Sequence, residues 1–174
     1  MAIPDYQSIM LPLLIFANDG KEHSIHEAVD ALSNQFQLTS EERKELLPSG
    51  QQEVFVNRVG WARTYMKKAC LLKTTKRGFF EITERGINIL KTKPSKIHND
   101  LLTQFDEFKE FRKRKKKDEG KVDIEDQEQT PEEAFESAYE NLRSELSNEI
   151  LSQLKSCPPS LFEKIVIELL VKMG

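Results

Sequence analysis

The sequence predicts a mainly α protein carrying one small β-hairpin (α+β), and three observations predict it. Apolar residues recur at helical spacing through most of the 174-residue chain. Two short β-type runs, Leu72 to Thr74 and Phe79 to Ile82, flank a turn containing Lys76, Arg77 and Gly78. Large apolar residues cluster between Ile3 and Leu90, in a chain that is only 38% hydrophobic and 32% charged. One small domain with solvent-facing appendages fits that distribution better than a single full-length core.

Taken in order, Pro4 stands where proline opens a helix, and Ile9, Leu11, Leu13, Leu14, Phe16 and Ala17 fill a first helix that stops at Asn18, Asp19 and Gly20. Lys21 to Ile25 is a loop or edge strand. Ser24 then caps a second helix bearing Ile25, Ala28, Val29, Leu32 and Phe36. Thr39 and Ser40 open a short acidic turn, Glu41 to Leu47, closed by Pro48 and Gly50. A third helix is expected from about Val56 to Leu71, with Val59, Ala62, Tyr65, Met66 and Ala69 on one face and Arg63, Thr64, Lys67 and Lys68 on the other. The hairpin follows, and Thr83 caps a fourth helix that ends at Lys91, Lys93 and Pro94. Helix, short strand, helix, helix, hairpin, helix within about 90 residues is the element order of a winged helix-turn-helix, at a size where one small core is viable.

Beyond it, residues 94–117 read as one basic amphipathic helix, with Ile97, Leu101, Leu102, Phe105, Phe108 and Phe111 as its apolar side. Residues 118–130 hold only Val122 and Ile124 as large apolar residues and read as a flexible acidic linker. In the remaining segment, 131–174, long helices are expected. Thr130-Pro131-Glu132-Glu133 starts one helix, Cys157-Pro158-Pro159 ends it, and a capping box from Ser160 to Glu163 opens the last, Leu161 to Met173. The organisation is thus 1–93, 94–117, 118–130 and 131–174.

The net charge of -3 conceals strong segregation. Val54 to Lys93 carries ten Lys or Arg against two Glu, a balance of 10 - 2 = +8, while Asp118 to Glu145 carries eleven acids against two bases, 2 - 11 = -9. The basic stretch suits nucleic acid. Cys70 and Cys157 form no CxxC pair, so neither a disulfide framework nor a zinc knuckle is expected, and a reducing cytoplasm fits. Nothing resembles a signal peptide or a membrane span.

Between Ser49 and Gly86 the residues Gly50 and Gln51, then Asn57, Arg58, Gly60, Trp61 and Ala62, then Lys68, Ala69 and Leu71, then Arg77 and Gly78, and finally Thr83 and Gly86 form one pattern. It resembles the N-terminal domain of Mrr-type (modification-dependent, type IV) restriction endonucleases. Ile3, Pro4 and Tyr6 are similar to that family's opening; Cys70 departs from it, since glycine is more usual there. The last residues, 159–174, are similar to the first helix of the family's catalytic domain. The resemblance implies that the nuclease domain, of the PD-(D/E)xK class with acidic residues holding Mg²⁺, lies beyond Gly174. This chain itself is then expected to bind double-stranded DNA without cutting it and to need no cofactor or metal, and methylated DNA in host defence is the implied setting.

The candidate DNA contacts are Gln51, Asn57, Arg63, Thr64, Lys67, Lys68, Lys76 and Arg77. Arg63, Thr64, Lys67 and Lys68 would enter the major groove, because a helix fits there and long cations reach phosphates and base edges. The plainer reading is a solvated helix face. Lys76 and Arg77 would follow phosphates or the minor groove from the wing tip, or merely solubilise a turn. Arg58 and Trp61 are expected to be structural. The run Lys109 to Lys117, seven bases and one acid, would add sequence-independent affinity or pair with the acidic linker. Two Glu-x-Lys triplets, Glu107-Phe-Lys109 and Glu119-Gly-Lys121, mimic a nuclease motif by chance, being in a helix and a linker. His23, His26 and His98 lack metal-ligand spacing. The alternatives are a free-standing dimeric winged-helix transcriptional regulator, with a homodimer through the C-terminal helices, and a protein-interaction adaptor.

Overall fold

The computed structural model describes residues 3–118 and 129–173, with the side chains of 114–118 excepted. Most of the expected acidic linker, with Glu119-Gly-Lys121, therefore lies outside the described residues. The chain divides into two compact units, 1–133 and 134–174.

In the first unit, α1 (Tyr6–Phe16) is followed by a 3-10 turn, β1 (His23–Ser24), α2 (Ile25–Gln35), α3 (Ser40–Arg43) and α4 (Val54–Lys68). Then come β2 (Leu72–Thr74), β3 (Phe79–Ile82), α5 (Glu84–Lys91), α6 (Asn99–Leu102) and α7 (Asp106–Asp118). Local chemistry sets most boundaries. Ser24 and Thr39 each close a capping box, with Glu27 and Glu42, satisfying helix-end amides that have no intrahelical partner. The first helix starts two residues after Pro4, because Asp5 is its cap: its carboxylate accepts from the amides of Gln7 (2.8 Å) and Ser8 (3.0 Å).

The three strands form an antiparallel sheet in the order β1-β3-β2, with Phe80 opposite both His23 and Thr74. Helices plus this small sheet make the α+β arrangement expected, consistent with a winged helix. Hairpin and helices share one core: Ile9, Met10, Leu13 and Leu14 of α1 meet Val59, Ala62 and Met66 of α4 and Phe80 of β3, all essentially inaccessible. Each of these side chains larger than alanine contributes about 1.5 to 3 kcal/mol relative to exposure. Against the base of the hairpin α5 packs so closely that a Cβ on Gly86 would stand 2.5 Å from the Leu71 carbonyl oxygen.

Two expectations about helices are corrected. The single helix read over 94–117 is broken into α6 and α7, with residues 103–105 turning between them. There Gln104 and Phe105 donate to Leu101 and Leu102, three residues back, and the Thr103 hydroxyl takes the Asp100 carbonyl. Tertiary contacts select that bend: the Asn99 amide group donates to the Tyr6 hydroxyl (2.6 Å), and Phe108 reaches the core, 5.7 Å from the Tyr65 ring. The core thus extends past Leu90 to Ile97, Leu102 and Phe108. In the second case, the last helix starts at Pro159 rather than being capped by Ser160, since proline lacks an amide that a first helical position leaves unpaired anyway.

The second unit consists of the rest of α8 (Pro131–Ser156) and α9 (Pro159–Met173). Most of its large apolar side chains stand in solvent, with Phe135 73% and Leu142 65% exposed, and none of its described residues is buried. Among the described residues no helix is long and apolar enough to cross a membrane.

Candidate nucleic-acid interface

Helix α4 buries Phe55, Val59, Ala62 and Met66, and the 100° step per residue turns Gly60, Arg63, Thr64 and Lys67 to the opposite arc. Arg63 is half-buried and has no hydrogen-bond or ion-pair partner among the described residues. Burial pulls its pKa below the ordinary arginine value without approaching neutrality. Lys67, one turn further, is exposed and equally unpartnered among the described residues. Thr64 donates its hydroxyl to the Gly60 carbonyl at 2.8 Å, leaving its oxygen free to accept. Lys68 is exposed, with its ammonium 4.9 Å from the Phe111 ring centre.

The wing tip turns at Gly78, whose φ of 81° suits a residue without Cβ. Here the two cations differ. Lys76 pairs with Glu22 at 2.7 Å and lies 3.9 Å over the Phe79 ring, whereas Arg77 is exposed with no partner among the described residues. Gln51 is exposed in the turn leading into α4.

Asn57 does not share this surface. It is 4% exposed; its amide group donates to Gln52 (3.1 Å) and its oxygen accepts from the Thr130 hydroxyl (2.7 Å). A contact from Asn57 to DNA would require that network to open. Its neighbours complete a latch that sequence reasoning did not find. Arg58 holds Glu133 through Nε at 2.8 Å and donates to the carbonyls of Ile3 (2.6 Å) and Pro4 (3.1 Å), and Trp61 donates to Glu132. Thr130 and Glu133 cap the start of α8 reciprocally while buried. Arg58 and Trp61 are structural, as expected, but their partners lie more than 70 residues away. The available signal was the Thr-Pro-Glu-Glu helix start, which concentrates two carboxylates where a buried cation could use them.

Of the basic run, Lys109 pairs with Asp106 (2.9 Å), and Glu107 is held by Arg85, so the Glu107-Phe-Lys109 triplet has structural partners. The side chains of residues 114–128, which hold the rest of the basic run and most of the acidic linker, lie outside the described ones. His23 bonds Asp19 at 2.7 Å, and among the described residues no group of His, Cys, Asp or Glu is arranged to hold a metal ion.

Comparison with known proteins gives two matches. The family model described as the Mrr N-terminal domain matches residues 6–92. The whole chain aligns at 29% identity with the type IV methyl-directed restriction enzyme EcoKMrr of Escherichia coli (strain K12), spanning 60% of that protein's length. No solved structure matches.

Proposed function

The chain belongs to the Mrr N-terminal domain family, and from this premise we propose that it is the double-stranded-DNA-binding part of a modification-dependent restriction endonuclease acting in the cytoplasm. Arg63 carries the reading: a guanidinium half withdrawn from water, with no acceptor among the described residues, has lost hydration that an anionic partner would offset. Lys67 on the same arc and Arg77 on the wing extend that surface. In this arrangement α4 lies along the major groove, Arg63, Thr64, Lys67 and Lys68 reaching the phosphates beside it as well as base edges, while Gln51, Arg77 and, once its Glu22 pair opens, Lys76 follow phosphates from the wing side. Cleavage, and the Mg²⁺ it needs, we assign to the parent enzyme rather than to this chain.

The test is anisotropy titration of labelled duplex DNA. Arg63→Ala combined with Lys67→Ala is expected to weaken binding by at least about tenfold while the circular dichroism spectrum stays unchanged. An unaltered binding curve would count against α4 as the DNA-facing helix.

One observation also favours self-association. Phe135, Tyr139, Leu142, Leu146 and Ile150 recur at helical spacing on α8 and are all about half or more exposed. A homodimer through the C-terminal helices accounts for this face, and it serves a restriction enzyme as well as the alternative, a free-standing regulator.

A further inference from the structure

Gly60 stands seventh in the fifteen residues of α4, where glycine weakens a helix relative to alanine. Its backbone gives no reason for glycine, since the positive-φ glycines among the described residues are Gly20, Gly50 and Gly78. Packing gives none either: a Cβ at Gly60 would meet no heavy atom within 4 Å, whereas one at Gly86 would meet the Leu71 carbonyl oxygen at 2.5 Å. Internal contacts therefore explain Gly86 and leave Gly60 unexplained.

We infer that Gly60 is the point where bound DNA comes closest to α4, left without a side chain so that the sugar-phosphate backbone can lie against the helix. Its surroundings fit that role. Arg63, Thr64 and Lys67, three, four and seven residues on, project from the same arc. Thr64 is folded back onto the Gly60 carbonyl at 2.8 Å, which lowers the surface on that side, while Arg63 and Lys67 have no partner among the described residues. The result is a shallow floor bounded by two available cations. Glycine is the residue that admits close approach of a ligand to the main chain, and a phosphodiester is the ligand these cations would draw in. Because the contact is with the backbone of the duplex, its loss should not depend on base sequence.

This inference rests on the DNA-binding reading above, and the experiment separates the two. The full chain, Gly60→Ala and Gly60→Leu are titrated with random-sequence duplex DNA at one fixed salt concentration, and their thermal unfolding is recorded. Gly60→Ala should melt at the same or a higher temperature yet bind about tenfold more weakly, with Gly60→Leu weaker still. If Gly60→Ala binds as the unaltered chain does, the close approach is wrong. If it melts earlier, internal packing requires the glycine and the inference also falls. Failure of the unaltered chain to bind duplex at low salt would overturn the DNA-binding reading itself, and this inference with it.

Discussion

Cys70 occupies the left-handed region, with φ of 57°, directly after α4. The helix ends in a Schellman motif there: Leu71 donates to the Met66 carbonyl (2.8 Å) and Cys70 to that of Lys67 (3.0 Å). A side chain in this conformation costs roughly 1 to 2 kcal/mol, while glycine's extra freedom in the unfolded chain costs about 0.5 to 1 kcal/mol. Cys70→Gly should therefore stabilise the protein by about 0.5 kcal/mol, read as a higher urea midpoint. An equal or lower midpoint would mean that the thiol contributes packing worth the strain. Arg58 is the opposite case, a cation whose removal strands its partner. With the Arg58 and Glu133 side chains only 18% and 10% exposed, Arg58→Ala should cost about 3 kcal/mol, because it leaves a carboxylate buried without a counter-charge. Adding Glu133→Ala should recover part of that loss in denaturant titrations. No recovery would show that the bonds from Arg58 to the Ile3 and Pro4 carbonyls account for its whole effect.

Among elements, α7 is held by two different means. Its apolar side enters an aromatic cluster around Tyr65, whose ring lies 5.7 Å from Phe108 and 6.0 Å from Phe111. The other attachment is ionic: Arg85 on α5 meets both carboxylate oxygens of Glu107 at 3.0 and 2.9 Å and stacks 4.8 Å over Phe105. The hydrogen bond from Arg85 holds the Glu107 carboxyl below the usual glutamate range. A folded-state pKa lowered in this way gives stabilisation that is present above the unfolded value, about 4.3, and lost as pH falls through the folded one. Acidification below about pH 4 should accordingly lower the amide-exchange protection factors in α7, and Glu107→Gln should remove that pH dependence. Protection that falls equally in both proteins would exclude the clasp as the cause. The apolar stripe of this helix was readable from its spacing. Its break after Leu102 was not, because Asn99 and Phe108 take their places from Tyr6 and Tyr65, which are remote in sequence.

For the molecule as a whole, the +8 of residues 54–93 matters more than the net charge of -3. If α4 and the wing face DNA, each phosphate contact should contribute about 0.9 to the slope of log affinity against log salt. The Arg63→Ala, Lys67→Ala protein should then show a slope smaller by about 2, and an unchanged slope would mean that neither residue contacts a phosphate. What depends on near neighbours is legible in the sequence. Legible there were the caps at Ser24 and Thr83, the hairpin strands to the residue, the apolar and basic arcs of α4 and the family pattern from Gly50 to Gly86. These rest on spacing within one turn or one hairpin, which is written locally. Packing settles which cations of the basic stretch stay available, with Lys76 paired to Glu22 while Arg63, Lys67 and Arg77 have no partner among the described residues. It alone placed Asn57 inside the latch with Thr130 and left Gly60 bare. The physical reason is the same in each case: whether a polar group is satisfied, or a glycine crowded, depends on which distant segment packs beside it.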